Sequence, residues 1–213
     1  MPFTEELALL LPADLPHREK CVAICARHLE LIVEANKQFN LTRIVSPREA
    51  AIKHVVDSII PWRQFRGSPR IADAGTGPGF PGIPLAVALP ESHFFLLEST
   101  QKKARFVSDT VAALGLTNIT VLSDRAEAWL EEHAVDLVTA RAFAPVERAI
   151  PLLMPALKHK TRVLLYKGPD VDAEIAAAVY EIKRRKVRVT VVERYNLPDE
   201  MGLRSLVEVV AIG

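Results

Sequence analysis

Apolar positions in the first third of the chain recur with a helical period. From His17 to Lys37 they fall at Cys21, Ile24, Cys25, Leu29, Ile32 and Val33, the stripe of an amphipathic helix. Ser46-Pro47-Arg48-Glu49 then supplies an N-cap, a first-turn proline and a capping-box glutamate. This predicts a helix through His54, Asp57 and Ile60 to the break at Pro61. At Arg70 the pattern changes. Short apolar runs predict strands near 70–74, 93–98, 119–123, 135–140 and 161–166. Helical patterns near 81–89, 101–114, 126–132, 146–158 and 171–186 separate them. Two last runs, 187–192 and 206–212, have no helix between them and predict a terminal antiparallel pair.

Strand, helix and strand at this spacing imply right-handed crossovers and parallel pairing. The expected class is α/β: a doubly wound, Rossmann-like sheet of seven mostly parallel strands with a helical N-terminal extension. The extension covers 1–62 and the sheet domain 63–213, together one structural unit. Sheets of this kind bind ligands at the carboxyl ends of their strands.

Composition narrows the setting without naming a partner. The chain is 49% hydrophobic and 25% charged, ordinary for a folded domain of 213 residues. A net charge of +1 neither demands nor excludes nucleic acid, since a local basic patch suffices for binding. Cys21 and Cys25, four apart on one helix, suit reduced thiols in a cytoplasmic compartment. With His28 they share a helical face, but no second Cys/His group closes a zinc site, so they read as core and no metal is expected. No apolar run reaches the length of a membrane span.

The chemistry concentrates in Asp73-Ala-Gly-Thr-Gly-Pro-Gly-Phe-Pro-Gly82, which holds four of the nine glycines. It lies between the first strand and the next helix. Gly77 to Gly82 fits the dinucleotide fingerprint G-x-G-x-x-G. From Asp73 the same residues resemble D-x-G-x-G-x-G, the S-adenosylmethionine (SAM) signature of methyltransferases. A pyrophosphate needs backbone N–H donors at a helix start, yet Pro78 and Pro81 each remove one. Asp73 favours a cationic ligand and opposes a pyrophosphate. Glu98, ending the second strand, can accept from ribose hydroxyls in either case. After the third strand, Ser123-Asp124-Arg125-Ala126-Glu127 can reach an adenine ring, while Ser123 or Asp124 also reads as a helix N-cap. The balance favours SAM over a dinucleotide.

Residues after the fourth strand bear on the acceptor. Thr139-Ala-Arg141-Ala-Phe143-Ala-Pro145 contains neither the Asn/Asp-Pro-Pro-aromatic turn of amine methyltransferases nor a cysteine nucleophile. A ring nitrogen such as guanine N7 carries no proton, so its methylation requires placement rather than a base. Arg141 and Phe143 can provide it by hydrogen bonding and stacking, although Phe143 reads equally as core packing.

Taken in order, Phe39-Asn-Leu-Thr42, His54-Val-Val-Asp57-Ser58, the glycine loop, Ser123 to Glu127, Ala140-Arg-Ala142 and Tyr166-Lys-Gly168 resemble the RsmG (GidB) family. Arg204-Ser-Leu206 fits as well. The resemblance implies a class I SAM-dependent methyltransferase making 7-methylguanosine at nucleotide 527 of bacterial 16S rRNA, in the 530 loop. It implies that Gly75, Gly77 and Phe80 line the SAM pocket with Asp73, that Ala126 and Glu127 meet the adenine, that Glu98 holds the ribose and that Arg141 lies nearby. Asn40, Arg125 and Lys167 become contacts to RNA or guanine. The partner is then 16S rRNA within the small subunit or an assembly intermediate, and the enzyme a cytoplasmic monomer.

Plainer readings stand beside these. His54 and Asp57, three apart, suit a structural network joining the helical start to the sheet better than an acid–base pair. Lys183-Arg-Arg-Lys186 with Arg188 reads as a solvated helix end whose cations suit the dipole. Lys102, Lys103 and Arg105, with Arg43, Arg48, Lys53, Arg141 and Lys167, can form one basic face for rRNA phosphates. An NAD-dependent dehydrogenase and a non-catalytic RNA-binding module on the same fold remain the rival functions.

Overall fold

A computed structural model of the chain describes residues 2–38, 41–44 and 46–212. Its centre is one seven-stranded sheet: β1 (Arg70–Ala74), β2 (His93–Leu97), β3 (Ile119–Leu122), β4 (Leu137–Arg141), β5 (Arg162–Lys167), β6 (Val187–Asn196) and β7 (Leu203–Ala211). The strand order is β3-β2-β1-β4-β5-β7-β6. Pairing is parallel from β3 to β5, while β7 lies antiparallel between β5 and β6. The expected doubly wound class and terminal antiparallel pair are both present. β6 is longer than its apolar run suggests, because a bulge between Val191 and Glu193 carries the strand on to Asn196.

The helices sort onto two faces. Over one lie α1 (Pro2–Leu10), α2 (Arg18–Asn36), α5 (Gly82–Ala88) and α6 (Gln101–Ala113), packed on Ile71, Phe94 and Leu96. On the other are α7 (Ala126–Glu132), α8 (Val146–Leu152), α9 (Met154–Lys158), α10 (Val171–Ala177) and α11 (Val179–Arg185), packed on Ala72, Val138 and Leu165. The buried stripe of α2 is Cys21, Val22, Cys25, Ala26, His28, Leu29 and Ile32, with Ile24 and Val33 at its margin. Each fully buried side chain such as Leu29 or Ile32 contributes about 1.5–3 kcal/mol.

Three expected helices are interrupted. The one from Ser46 begins as α3 (Pro47–Ala50), widens into a π-helical turn over Ala51–Val56 and finishes as α4 (Asp57–Ile59). Ser46 Oγ donates to Glu49 Oε2 at 3.4 Å and makes no side-chain bond to the helix backbone, so the capping box is not formed. The helix over 146–158 breaks at Leu153, where Pro155 lacks the N–H to continue α8 and opens α9 instead. The third splits at Ala178 into α10 and α11.

The helical start and the sheet share one core. Leu7, Leu29 and Ile59 join the cluster that contains Ile71 and Leu164, and the Tyr166 hydroxyl donates to the Ser58 carbonyl at 2.8 Å.

Candidate active site

The glycine loop leaves β1 and is held from beneath. Asp73 is fully buried, and its Oδ2 accepts from the Thr76 hydroxyl at 2.6 Å and the Gly82 N–H at 2.9 Å. A Cβ on Gly82 would fall 2.2 Å from Leu96 Cδ2 and 2.8 Å from that carboxylate, so only glycine lets α5 start this close to β1. The N–H groups of Gly75 and Thr76 both donate to the Leu97 carbonyl, at 2.9 and 3.0 Å, tying the loop to the end of β2. Burial pushes the Asp73 carboxyl up to about 6 against the opposing pull of its two donors, and Oδ1 has no partner among the described residues.

A histidine absent from the sequence motif also supports the loop. His28 Nε2–H donates to the Pro78 carbonyl at 2.8 Å, and its ring stacks on Phe80 at 4.6 Å. His54 stacks on Phe80 as well, at 4.8 Å and 8° between planes. Phe80 is therefore 2% exposed and fixes the loop through its ring. Burial, above all, lowers His28 to about 4, while burial and then the Arg141 charge lower His54 to about 3, so both rings are neutral at pH 7.

Beyond the carboxyl ends of β1, β2 and β3 lies a cleft of about 240 Å³, lined in part by Gly75, Glu98, Arg125, Ala126, Glu127 and Phe143. Glu98 Oε1 accepts from the Thr100 N–H at 2.8 Å, and Oε2 has no hydrogen bond among the described residues. The Phe143 ring stands 3.4 Å from where a Cβ on Gly75 would lie, so the gap between them is the one glycine leaves. Asp124, Glu98 and Glu127 outnumber Arg125 around this cleft. Such a lining suits a neutral nucleoside carrying a cation and repels a pyrophosphate, which fits SAM.

Across Arg141 a second cavity, of about 440 Å³, is lined by Lys53, His54, Asp57, Lys167 and Arg204 among others. The π turn supplies its wall. The Asp57 N–H reaches back to the Ile52 carbonyl rather than to Lys53, which leaves the Lys53 carbonyl for another donor. Arg141 Nη1 donates there at 3.0 Å and to the His54 carbonyl at 3.2 Å, with Ser58 Oγ at 3.4 Å and Asp57 Oδ2 at 3.5 Å. On its other side Asp57 Oδ1 accepts from the Tyr195 hydroxyl at 3.1 Å and lies 3.5 Å from Arg204 Nε. One carboxylate, 4% exposed, thus holds two guanidinium groups and a phenol at the carboxyl edge of the sheet. His54 is paired with Thr42 Oγ1, at 3.2 Å.

The residues singled out in the sequence divide between these places. Gly75, Glu98, Arg125, Ala126, Glu127 and Phe143 line the cleft, while Arg141 and Lys167 line the cavity. Asp73 and Phe80 face inward, and Gly77 has open space where a Cβ would be. Arg125 is exposed and 3.6 Å from Glu127. Lys167 Nζ donates to the Ala144 carbonyl and, at 2.8 Å, to Glu174. Asn40 lies outside the described residues. Much of the anticipated basic face is internally paired, Arg48 with Glu6 and Asp199, Lys53 with Glu49, and Lys167 with Glu174. Sequence reasoning missed the roles of His28 and Tyr195. Their only local signal is a polar group within an apolar pattern.

The strand order, the glycine loop after β1 and the acidic cleft define a class I SAM-dependent methyltransferase. The solved structure of an O-methyltransferase from Bacillus cereus, in complex with SAH, superposes with a TM-score of 0.59 at 18% identity, covering 87% of this chain and 90% of that one. The GidB family, rRNA small subunit methyltransferase G, matches residues 22–201. A ribosomal RNA small subunit methyltransferase G from Solibacter usitatus is 61% identical over 209 residues, 98% of this chain and 100% of the relative. One from Yersinia pseudotuberculosis is 36% identical over 205 residues, 95% of each. The chain belongs to this family and is a SAM-dependent methyltransferase of small-subunit rRNA.

Proposed function

We propose that the enzyme methylates N7 of guanine 527, in the 530 loop of 16S rRNA, as the family resemblance implies. The observation that carries the N7 reading is the state of the groups in the cavity beside Arg141. Asp57, its carboxylate, is occupied by Arg141, Arg204 and Tyr195. Its histidine, His54, is paired with Thr42 and lowered to about 3 by burial. Asp57 is committed to those partners, and a histidine so lowered is a poor base near neutral pH. An exocyclic amine needs one, whereas N7 presents a lone pair directly.

SAM supplies an activated methyl group on a sulfonium. The chain's task is to position it. Asp73 holds the loop from below, Gly75, Gly77 and Phe80 shape it, Glu98 Oε2 is free to accept from the ribose, and Ala126 and Glu127 face the adenine. Arg141 lines the cavity with its guanidinium 5.4 Å over the Phe80 ring, and its Nε and Nη2 make no hydrogen bond among the described residues. Those N–H groups suit the guanine O6 or the carboxylate of the cofactor's amino-acid tail. Phe143 and Lys167 flank the base, and Arg125 and Asn40 meet the RNA. The substrate is the small subunit or an assembly intermediate, and the enzyme a cytoplasmic monomer.

Methyl transfer from labelled SAM to small subunits lacking the modification tests this, with the product nucleosides resolved. Label in 7-methylguanosine is the expected result. Label in another nucleoside refutes the N7 reading.

A further inference from the structure

The opposite edge of the sheet carries a second set of cations that the methyl-transfer site does not use. Lys158 and Lys160 close the turn from α9 into β5, and Lys183 and Lys186 close the turn from α11 into β6. All four are exposed, and none has an ion pair or hydrogen bond from its side chain among the described residues. β7 lies between β5 and β6 and ends at this edge, where the Ile212 N–H donates to the Lys186 carbonyl at 2.7 Å, so the two turns flank a single strand end. Tyr180, 70% exposed on α11, lies with its ring 5.8 Å from the Arg184 guanidinium.

No acidic group among the described residues forms an ion pair with these four lysines. Glu208 is bound to Arg162, and Glu181 is bound to Arg184 and Arg185. Glu131 and Glu132 end α7, which packs on α9 near Lys158 and Lys160, and away from Lys183 and Lys186, since α11 packs on α8. In a chain of net charge +1 such a cluster is not a by-product of a generally basic surface.

Backbone geometry adds an independent observation. Lys160 has φ 60 and Lys186 has φ 51, both in the left-handed region. Glycine takes that conformation at a helix end without a side-chain clash. Both turns carry lysine instead. Pairing with the helix dipole does not account for this, because Lys158 and Arg185 already place cations in the last turns.

We infer that this rear edge is a second RNA-docking surface, in which Lys158, Lys160, Lys183 and Lys186 engage phosphates beside Tyr180 as a stacking platform. It rests on the reading of the chain as an enzyme of structured rRNA. The surface lies a strand's length, about 17 Å, from the methyl-transfer site. It therefore grips RNA outside the target nucleotide and adds affinity without touching the reacting base.

The test is binding of small ribosomal subunits, and of deproteinised 16S rRNA, across a salt series. Lys160→Gly/Lys186→Gly removes two phosphate contacts and relieves two strained turns together. Affinity should fall about tenfold at moderate salt, and the slope of log K against log salt should flatten by about 1 to 2. The melting temperature should hold or rise by about 3 °C or more. Lys160→Gln/Lys186→Gln keeps the backbone strain and should weaken binding equally. Unchanged affinity and slope in both variants overturn the inference. Weakened binding to subunits with unchanged binding to bare rRNA overturns the RNA assignment in favour of a ribosomal protein. Wild-type methyl transfer is measured alongside, and its absence counts against the enzyme reading, leaving the binding comparison to judge the surface.

Discussion

Arg141, the last residue of β4, donates from Nη1 to the main-chain carbonyl of Lys53 at 3.0 Å. Eighty-eight positions separate the two residues. The contact joins the helical start to the sheet at the wall of the cavity beside Arg141, and it fixes one end of a guanidinium whose other nitrogens make no hydrogen bond among the described residues. Lysine cannot reproduce that, since one ammonium cannot span several fixed acceptors and still face a ligand. Arg141→Lys and Arg141→Ala should each lower kcat/KM for methyl transfer by about 100-fold or more. Arg141→Ala should also cost about 1–3 kcal/mol of stability, because Asp57 loses one of its partners. Wild-type turnover in either variant removes Arg141 from the site.

Gly75 has φ +72, and a side chain there would point toward Phe143. Gly75→Val combines backbone strain with a filled cleft. Its affinity for SAM should drop beyond detection by calorimetry, at least about 100-fold, while far-ultraviolet circular dichroism shows the sheet intact. Retained affinity means that the cofactor lies elsewhere.

Glu98 offers one free carboxylate oxygen to the cleft, while Oε1 caps the Thr100 N–H. Replacing it with alanine should weaken SAM about 10- to 100-fold, the worth of one or two charge-assisted hydrogen bonds. Glu98→Gln keeps an acceptor for Thr100 and should fall between. Equal affinities across the three proteins dismiss the ribose assignment.

Acid should loosen the fold through the histidines under the loop. Burial lowers His28 from 6.5 to about 4, so its stabilising contribution is complete above pH 6.5 and is lost as pH falls toward 4. Between pH 6.5 and 5 that loss is roughly 2 kcal/mol. His54 acts in the same direction. Asp73, raised to about 6, acts oppositely, since its contribution is present at low pH and lost as pH rises through about 6. Urea unfolding of wild type and His28→Gln at pH 7 and 5 isolates the first effect. The variant should lose roughly 2 kcal/mol less over that interval, and parallel losses refute the argument.

The order of strands and helices was legible because the periodicity switches cleanly at Arg70, and the place of the glycine loop because four glycines cluster after the first strand. What misled was local. A capping-box pattern at Ser46 did not form its backbone bonds, and an apparently continuous helix became a π turn whose freed carbonyl Arg141 takes. The partners of Asp57 come from positions 141, 195 and 204, and no window of sequence places them together. Basic residues were legible as charges but not as pairs. Only the folded chain separates Lys53 and Lys167, which are neutralised, from the lysines at the rear edge.

The Asp57 network also sets an order of events during synthesis. Asp57 emerges early, its first partner Arg141 follows after four strands' worth of chain, and Arg204 comes only with β7. Until then the carboxylate stands without its full complement of cations, and the cavity beside Arg141 lacks Arg204 in its wall. A chain that stops before β7 can therefore possess the whole glycine loop and still lack the Asp57 network.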